Sequence, residues 1–149
     1  MVFDVGAHYG LHTLRFLVHG ARVLAFEPNP DCHRWLRAWC AANGVACELE
    51  PVAVGERAAT VVLAVPEGDT CRASILPGVR AGWRDASVHT VTARQVALDD
   101  IVAERGLVPD LVQGTRSPRW TAPDRNGSRA PTSPTRAPPT SWPRCRPDA

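Results

Sequence analysis

Through residue 112 the apolar residues fall into short runs that switch between a strand-like and a helix-like spacing. Val2-Phe3-Asp4-Val5 is an apolar run holding one acid, and it breaks at Gly6-Ala7-His8-Tyr9-Gly10. Leu11, Leu14, Leu17 and Val18 then share one face of a helix predicted for Leu11 to His19, with Gly20 as its C-terminal stop. Arg22 to Phe26 has no polar alternation, which predicts a short strand buried on both faces of a parallel sheet. After Glu27-Pro28, Asn29 can cap the next helix and Pro30 suits its first position. Cys32, Trp35, Leu36, Trp39 and Cys40 recur at i, i+3, i+4, i+7 and i+8, a helical stripe that Asn43-Gly44 stops.

Ala46 to Val54 reads as a strand turning at Gly55, and Ala59 to Val65 as a second. Pro66 to Arg84 has turn residues and no period, so it is expected to be loop. Val88 to Leu98 is expected to be extended, and Asp99 to cap a brief helix, Asp100 to Arg105, ended by Gly106. Pro109-Asp110-Leu111-Val112 opens one more strand. The order β-α-β-α-β, then β-β-α-β, predicts an α/β fold with an open, mostly parallel sheet.

Composition divides the chain at the point where this pattern stops. Residues 1–112 hold ten Arg against seven Asp and six Glu, a net charge of −3, whereas residues 113–149 hold seven Arg against two Asp, a net charge of +5. Gln113 to Ala149 contains eight of the fourteen prolines and no Val, Ile, Leu, Met or Phe. Such a stretch cannot bury enough apolar surface to offset ordering, which costs roughly 1–2 kcal/mol per residue. The expected organisation is a folded domain at 1–112 and a disordered Pro/Arg-rich tail at 113–149. A tail of this kind could contact phosphates, but its aromatics are too spread to stack bases, so nucleic acid is not the expected partner. The five cysteines form no C-x-x-C pair and read as thiols in a reducing compartment. With no charged-then-apolar leader and no apolar run near ~18 residues, the expected location is cytoplasmic, away from membranes.

Asp4 and Glu27 carry the candidate chemistry. They fall at the carboxyl ends of two adjacent parallel strands, at the crevice where open α/β sheets bind ligands. The spacing D-x-G-x-x-x-G departs from the dinucleotide fingerprint G-x-G-x-x-G, and the acid inside the strand opposes a pyrophosphate. An acid with glycines suits a ligand bearing an amine and hydroxyls, such as S-adenosylmethionine, and Glu27 is placed to accept from both ribose hydroxyls of an adenosine. A plainer reading leaves Glu27 capping a turn and Asp4 pairing with an arginine. His8 and His12 could form a metal pair at i, i+4, but no third ligand is evident, so no metal is expected.

"FDVGAHYGLHTL", "VLAFEPNP", "AANGV", "PVAVGERAATVVL", "ASI" and "VALDDIV" in this order resemble the FkbM family of S-adenosylmethionine-dependent methyltransferases, over about residues 2–112. The resemblance implies a Rossmann-like class I methyltransferase fold, S-adenosylmethionine as cofactor, and methyl transfer to a hydroxyl oxygen of a small-molecule acceptor, a sugar or natural product. By position, Asp4, Gly6 and Gly10 would shape the methionine pocket, Glu27 would hold the ribose, and Val52 and Ala53 would sit near the adenine. Ala7, His8, Thr13, Pro28 and Asn29 complete the implied cofactor-binding set. His8 stands where the family usually has Asn. A base helps when the acceptor is an alcohol; His8 and His12 are the candidates, and nothing in the sequence fixes either.

The family continues after the strand at residue 112 with a Lys-hydrophobic-Asp-hydrophobic-Glu-Gly block and further elements that shape the acceptor pocket. Here Gln113-Gly114-Thr115-Arg116 follows instead. The expected fold is therefore incomplete on its C-terminal side, and Arg and Pro without Lys fit a GC-rich gene read out of frame. Back-translating from Arg119-Trp120 in a shifted frame yields Val-Asp once the arginine codon ends in G, and with GC-rich codons continues into an acidic, glycine-containing stretch similar to the missing block. If no frame of the gene encodes the family block, that explanation falls. Two alternatives remain: a non-catalytic S-adenosylmethionine-binding fragment, and a nicotinamide-dependent oxidoreductase.

Overall fold

The computed structural model describes residues 1–75 and 87–114. Strand β1 (Val2–Val5) lies inside a four-stranded sheet of order β3-β2-β1-β7, with β2 at Val23–Phe26, β3 at Glu48–Glu50 and β7 at Leu111–Gly114. All three pairings are parallel. Every residue of β2 is buried, as its lack of polar alternation predicts. Strand β7 includes Gln113 and Gly114, which pair with Asp4 and Val5, so the ladder runs past the change of composition after Val112.

Helices cover both faces. Leu24 and Phe26 point to one side and Ala25 to the other, following the two-residue alternation of a strand. On the first side Phe3, Leu24 and Phe26 cluster with Val52, Val96 and, from helix α3 (Leu98–Arg105), Leu98 and Ile101. Phe3 and Phe26 meet edge to face, with ring centroids 5.4 Å apart. On the second side Ala7 and Ala25 pack with Leu36 and Cys40 of helix α2 (Pro30–Ala42), and Leu17 of helix α1 (Leu11–Val18) packs against them.

Helix α2 starts as its sequence predicts. The Asn29 side chain accepts from the Asp31 N–H at 3.1 Å, Pro30 takes the first position, and Asp31 favours the positive end of the helix dipole. Within its stripe the structure separates small from large. Cys32, Leu36 and Cys40 are buried, whereas Trp35 and Trp39 stay about half exposed.

Three expectations are corrected. The single strand Ala46 to Val54 is two strands in different sheets, β3 and β4 (Ala53–Val54). Pro51 lies between them; having no N–H to donate, it ends the first ladder. Strand β4 joins a second sheet of order β4-β6-β5, in which β5 (Ala59–Pro66) runs antiparallel and β4 parallel to β6 (Val88–Val96). Helix α3 begins at Leu98 with Ala97 as its cap position and no side-chain cap; Asp99 lies inside its first turn, where the dipole favours an acid. Helix α1 buries Thr13, while Leu11 and Val18 are exposed, so its apolar face is rotated from the expected one. Within the segment expected to be loop, Thr70–Arg72 forms one turn of 3-10 helix. The rest of that segment beyond residue 75, and the tail beyond residue 114, lie outside the described residues. Among the described residues no helix is long and apolar enough to cross a membrane.

Candidate functional site at the strand ends

The loop after β1 turns through left-handed backbone three times, at Gly6 (φ 73°), His8 (φ 54°) and Gly10 (φ 87°). Glycine takes this conformation freely, while His8 is the one non-glycine residue that does so among the described residues. These turns aim three consecutive N–H groups at the end of β2. The amides of Gly6 and Ala7 both donate to the Phe26 carbonyl, at 2.9 and 3.1 Å, and that of His8 donates to Glu27 Oε2 at 2.8 Å. Asn29 N–H donates to the other carboxylate oxygen, Oε1, at 2.8 Å.

Glu27 is thus a buried carboxylate, 6% exposed, with one main-chain donor on each oxygen. A carboxylate accepts about four hydrogen bonds, so each oxygen keeps a lone pair for a ligand. Burial pushes its pKa above the ordinary carboxylate range, outweighing the two amides and nearby His33 that favour the charge; the Asp4 charge pushes the same way as burial. His33 Nε2 also bonds the Glu27 carbonyl at 2.7 Å, pinning the main chain at the strand end.

Asp4 is more enclosed still, at 2% exposure. Its Oδ2 accepts from the Thr13 hydroxyl at 2.5 Å, tying β1 to the buried side of α1. Burial raises its pKa, with the Thr13 hydrogen bond and His12 partly opposing. Among the described residues no arginine pairs with it; a hydroxyl takes that place. Thr13→Val is therefore expected to destabilise the fold by about 1–3 kcal/mol, because it strips a donor from a buried acid. Thr13→Ser, keeping the hydroxyl, should lose far less, and urea unfolding of the two variants compares them.

The remaining implied contacts gather at the same edge of the sheet but differ in what they present. Gly6 is exposed, and His8 and Pro28 are partly so. Ala7, Gly10 and Thr13 are buried against the helices, so they hold the loop in shape. Val52 and Ala53 follow the end of β3, with the Val52 N–H on the Glu50 carbonyl at 2.9 Å, and their side chains are buried in the core at 2% and 4% exposure. Asn29, fully buried, carries a side-chain N–H group (Nδ2) with no partner among the described residues, and its main-chain N–H bonds Glu27.

Sequence reasoning missed a second layer over the loop. His8 Nε2 lies 2.8 Å from Thr70 Oγ1, and the Thr70 hydroxyl donates to Tyr9 Oη at 2.9 Å. The His8 and Tyr9 rings stack with centroids 3.9 Å apart, and Tyr9 faces Trp35 at 6.1 Å. Burial lowers the His8 pKa, opposed by the Asp69 charge, so its imidazole is neutral at neutral pH. Nothing local in the sequence signals this contact, since Thr70 is 62 residues from His8. With Nε2 engaged by Thr70, His8 has no free nitrogen on that side for a metal, and the described residues contain no metal-holding group of three or more His, Cys, Asp or Glu.

Residues 4–113 match the model of the Methyltransferase FkbM domain. No curated protein and no solved structure matches the sequence. The match starts at Asp4 within β1 and takes in the glycine loop, the acid ending β2 and all but the last residue of β7: the chain belongs to the FkbM methyltransferase family.

Proposed function

We propose that the domain takes a methyl group from S-adenosylmethionine and places it on a hydroxyl oxygen of a small sugar-like or natural-product acceptor, in the cytoplasm. The observation that carries this reading is Glu27, a carboxylate fixed by two main-chain amides at the end of β2 with acceptor capacity left over. That arrangement suits a pair of vicinal hydroxyls. The residues also fit the rest of the ligand. Two buried acids, Asp4 and Glu27, set a negative field at the loop that favours a cationic ligand, Gly6 leaves the backbone open to close approach, and Asn29 Nδ2 is a donor lacking a partner among the described residues. When bound, S-adenosylmethionine supplies a methyl group activated on a sulfonium.

The chain's own part is binding and alignment. Glu27 holds the ribose end, and Asp4, fixed by Thr13, fixes the loop on which the methionine end rests. Alignment of acceptor oxygen with methyl carbon can supply much of the rate. The amides of Gly6, Ala7 and His8 are already bonded to Phe26 and Glu27, so they are not free to cradle a pyrophosphate, which weighs against a nicotinamide cofactor.

Calorimetric titration with S-adenosylhomocysteine and, separately, NADH tests this. Saturable binding of the first and none of the second is expected; the reverse would return the oxidoreductase. Asp4→Asn adds a second check. Its folded-state pKa is raised, so the ionised acid costs stability at pH 7, and that cost fades as the pH falls through the raised value. Asp4→Asn should therefore unfold at a higher temperature than the parent at pH 7, by about 1 kcal/mol, with the gap narrowing toward pH 4, while binding S-adenosylhomocysteine more weakly.

A further inference from the structure

The His8–Thr70–Tyr9 contact does more than close a turn over the glycine loop. It is a continuous chain of exchangeable protons, running from an exposed phenol through a half-buried hydroxyl to an imidazole at the candidate site. We propose that Tyr9, Thr70 and His8 form a proton relay that removes the proton from the acceptor's hydroxyl during methyl transfer. The proposal rests on the O-methylation reading above.

The geometry defines both ends of the relay. A threonine hydroxyl has one hydrogen, so with Thr70 donating to Tyr9 Oη, the hydrogen between His8 and Thr70 must come from Nε2. In a neutral ring that is the Nε2–H tautomer. The relay starts from the other tautomer, with the ring hydrogen on Nδ1 and both hydroxyls turned the other way: Tyr9 donates to Thr70 and Thr70 donates to a bare Nε2. The acceptor's O–H proton then goes to Tyr9 Oη, Tyr9's own proton to Thr70 Oγ1, and Thr70's to His8 Nε2. The acceptor oxygen, left with the electron pair of its O–H bond, bonds the methyl carbon as the carbon–sulfur bond of the donor breaks with its electrons on sulfur. His8 later returns the proton to solvent. Tyr9 is the catalytic residue here; Thr70 and His8 act through it.

Two further observations suit His8 to the inner end. The groups facing it are Tyr9 on its own loop, Thr70 of the 3-10 turn with Asp69 just before it, and Glu27 through the main chain. Asp69 Oδ2 pairs with Arg72 at 3.9 Å, while Oδ1 is buried with no hydrogen-bond partner among the described residues, a negative atom placed to stabilise the imidazolium as it forms. Its neutral resting state leaves His8 able to accept a proton at the pH of the reaction.

The test compares His8→Gln, Tyr9→Phe and Thr70→Val with the parent chain. Glutamine reaches Thr70 and hydrogen-bonds it but takes up no proton. His8→Gln should lower kcat by about 10²–10⁴-fold and lose the acid limb of the rate–pH profile, while Thr70→Val, outside the cofactor-binding set, should bind S-adenosylhomocysteine within a few-fold of the parent. If His8→Gln fails to fold, His8→Asn, better suited to left-handed backbone, replaces it. A readout without turnover comes from the histidine ring nitrogens by NMR: Thr70→Val should shift the His8 Nε2 signal and move its titration. Full turnover with an unchanged acid limb in His8→Gln overturns the relay alone. So does a His8 titration indifferent to Thr70→Val, which decides the matter where no acceptor on a hydroxyl panel is turned over. Failure of the parent chain to bind S-adenosylhomocysteine removes the donor reading and the relay with it.

Discussion

Glu27→Ala is expected to lose both ligand affinity and fold stability, and the second loss is the less obvious. The carboxylate is the acceptor for the main-chain N–H groups of His8 and Asn29, so its removal leaves two enclosed donors without partners. Each orphaned donor costs about 1–3 kcal/mol. Removing a buried charge whose pKa is pushed up returns part of that, for a net loss of about 2 kcal/mol in urea unfolding. Affinity for S-adenosylhomocysteine should fall by about 1–3 kcal/mol if the ribose contact is made as proposed. Glu27→Gln is an informative partner because it keeps the size. Its single carbonyl oxygen serves one amide while its NH₂ meets the other, donor against donor, so it should be destabilised nearly as much. A Glu27→Ala chain with the parent's unfolding midpoint would mean that this carboxylate does not organise the loop.

Gly10→Ala should be the more damaging of two outwardly similar changes. Gly10 (φ 87°) and Gly20 (φ 81°) flank helix α1, and both have left-handed backbone, which costs a residue with a Cβ roughly 1–2 kcal/mol. At Gly20 a Cβ would meet nothing within 4 Å; at Gly10 it would lie 2.7 Å from Leu36 Cγ. Leu36 is fully buried and packs against Ala7 and Ala25, so it cannot swing away without opening the interface of α2 with the sheet. Overpacking of that kind adds about 1–3 kcal/mol. Gly10→Ala is expected to lose about 2–5 kcal/mol and Gly20→Ala about 1–2 kcal/mol, read from thermal or urea unfolding. Equal losses would show that Leu36 yields easily.

What the sequence made legible was local. Asp4, Glu27, the turning glycines and the Asn29-Pro30 helix start each follow from residues within a turn of one another, and all lie where their spacing puts them. Reading failed where a distant partner decides. Pro51 was visible, but that it divides a run between two sheets depends on β6 offering Gln95 and Val96 to β4. Ala97 takes the cap position of α3 although Asp99 looks the better cap, because burying Leu98 and Ile101 against Phe3 and Phe26 sets where that helix begins. Helix α1 turns Thr13 inward in place of a leucine because a buried acid on β1 needs a donor more than the core needs another methyl group. Val52 and Ala53 follow the end of β3, and their side chains are buried in the core.

The central position of β1 also governs how the molecule comes into being. Its neighbour β2 is made within about 20 residues, but the strand on its other side, β7, pairs Leu111 with Val2 and is synthesised 109 residues later. At roughly 5–20 residues per second, a growing chain leaves that flank of β1 open for about 5–20 s. During this interval a strand that is interior in the folded sheet is an edge, with its row of amides and carbonyls offered to any extended segment nearby. Slowing translation between residues 50 and 110 should therefore lower the soluble yield, and supplying chaperones during synthesis should restore it.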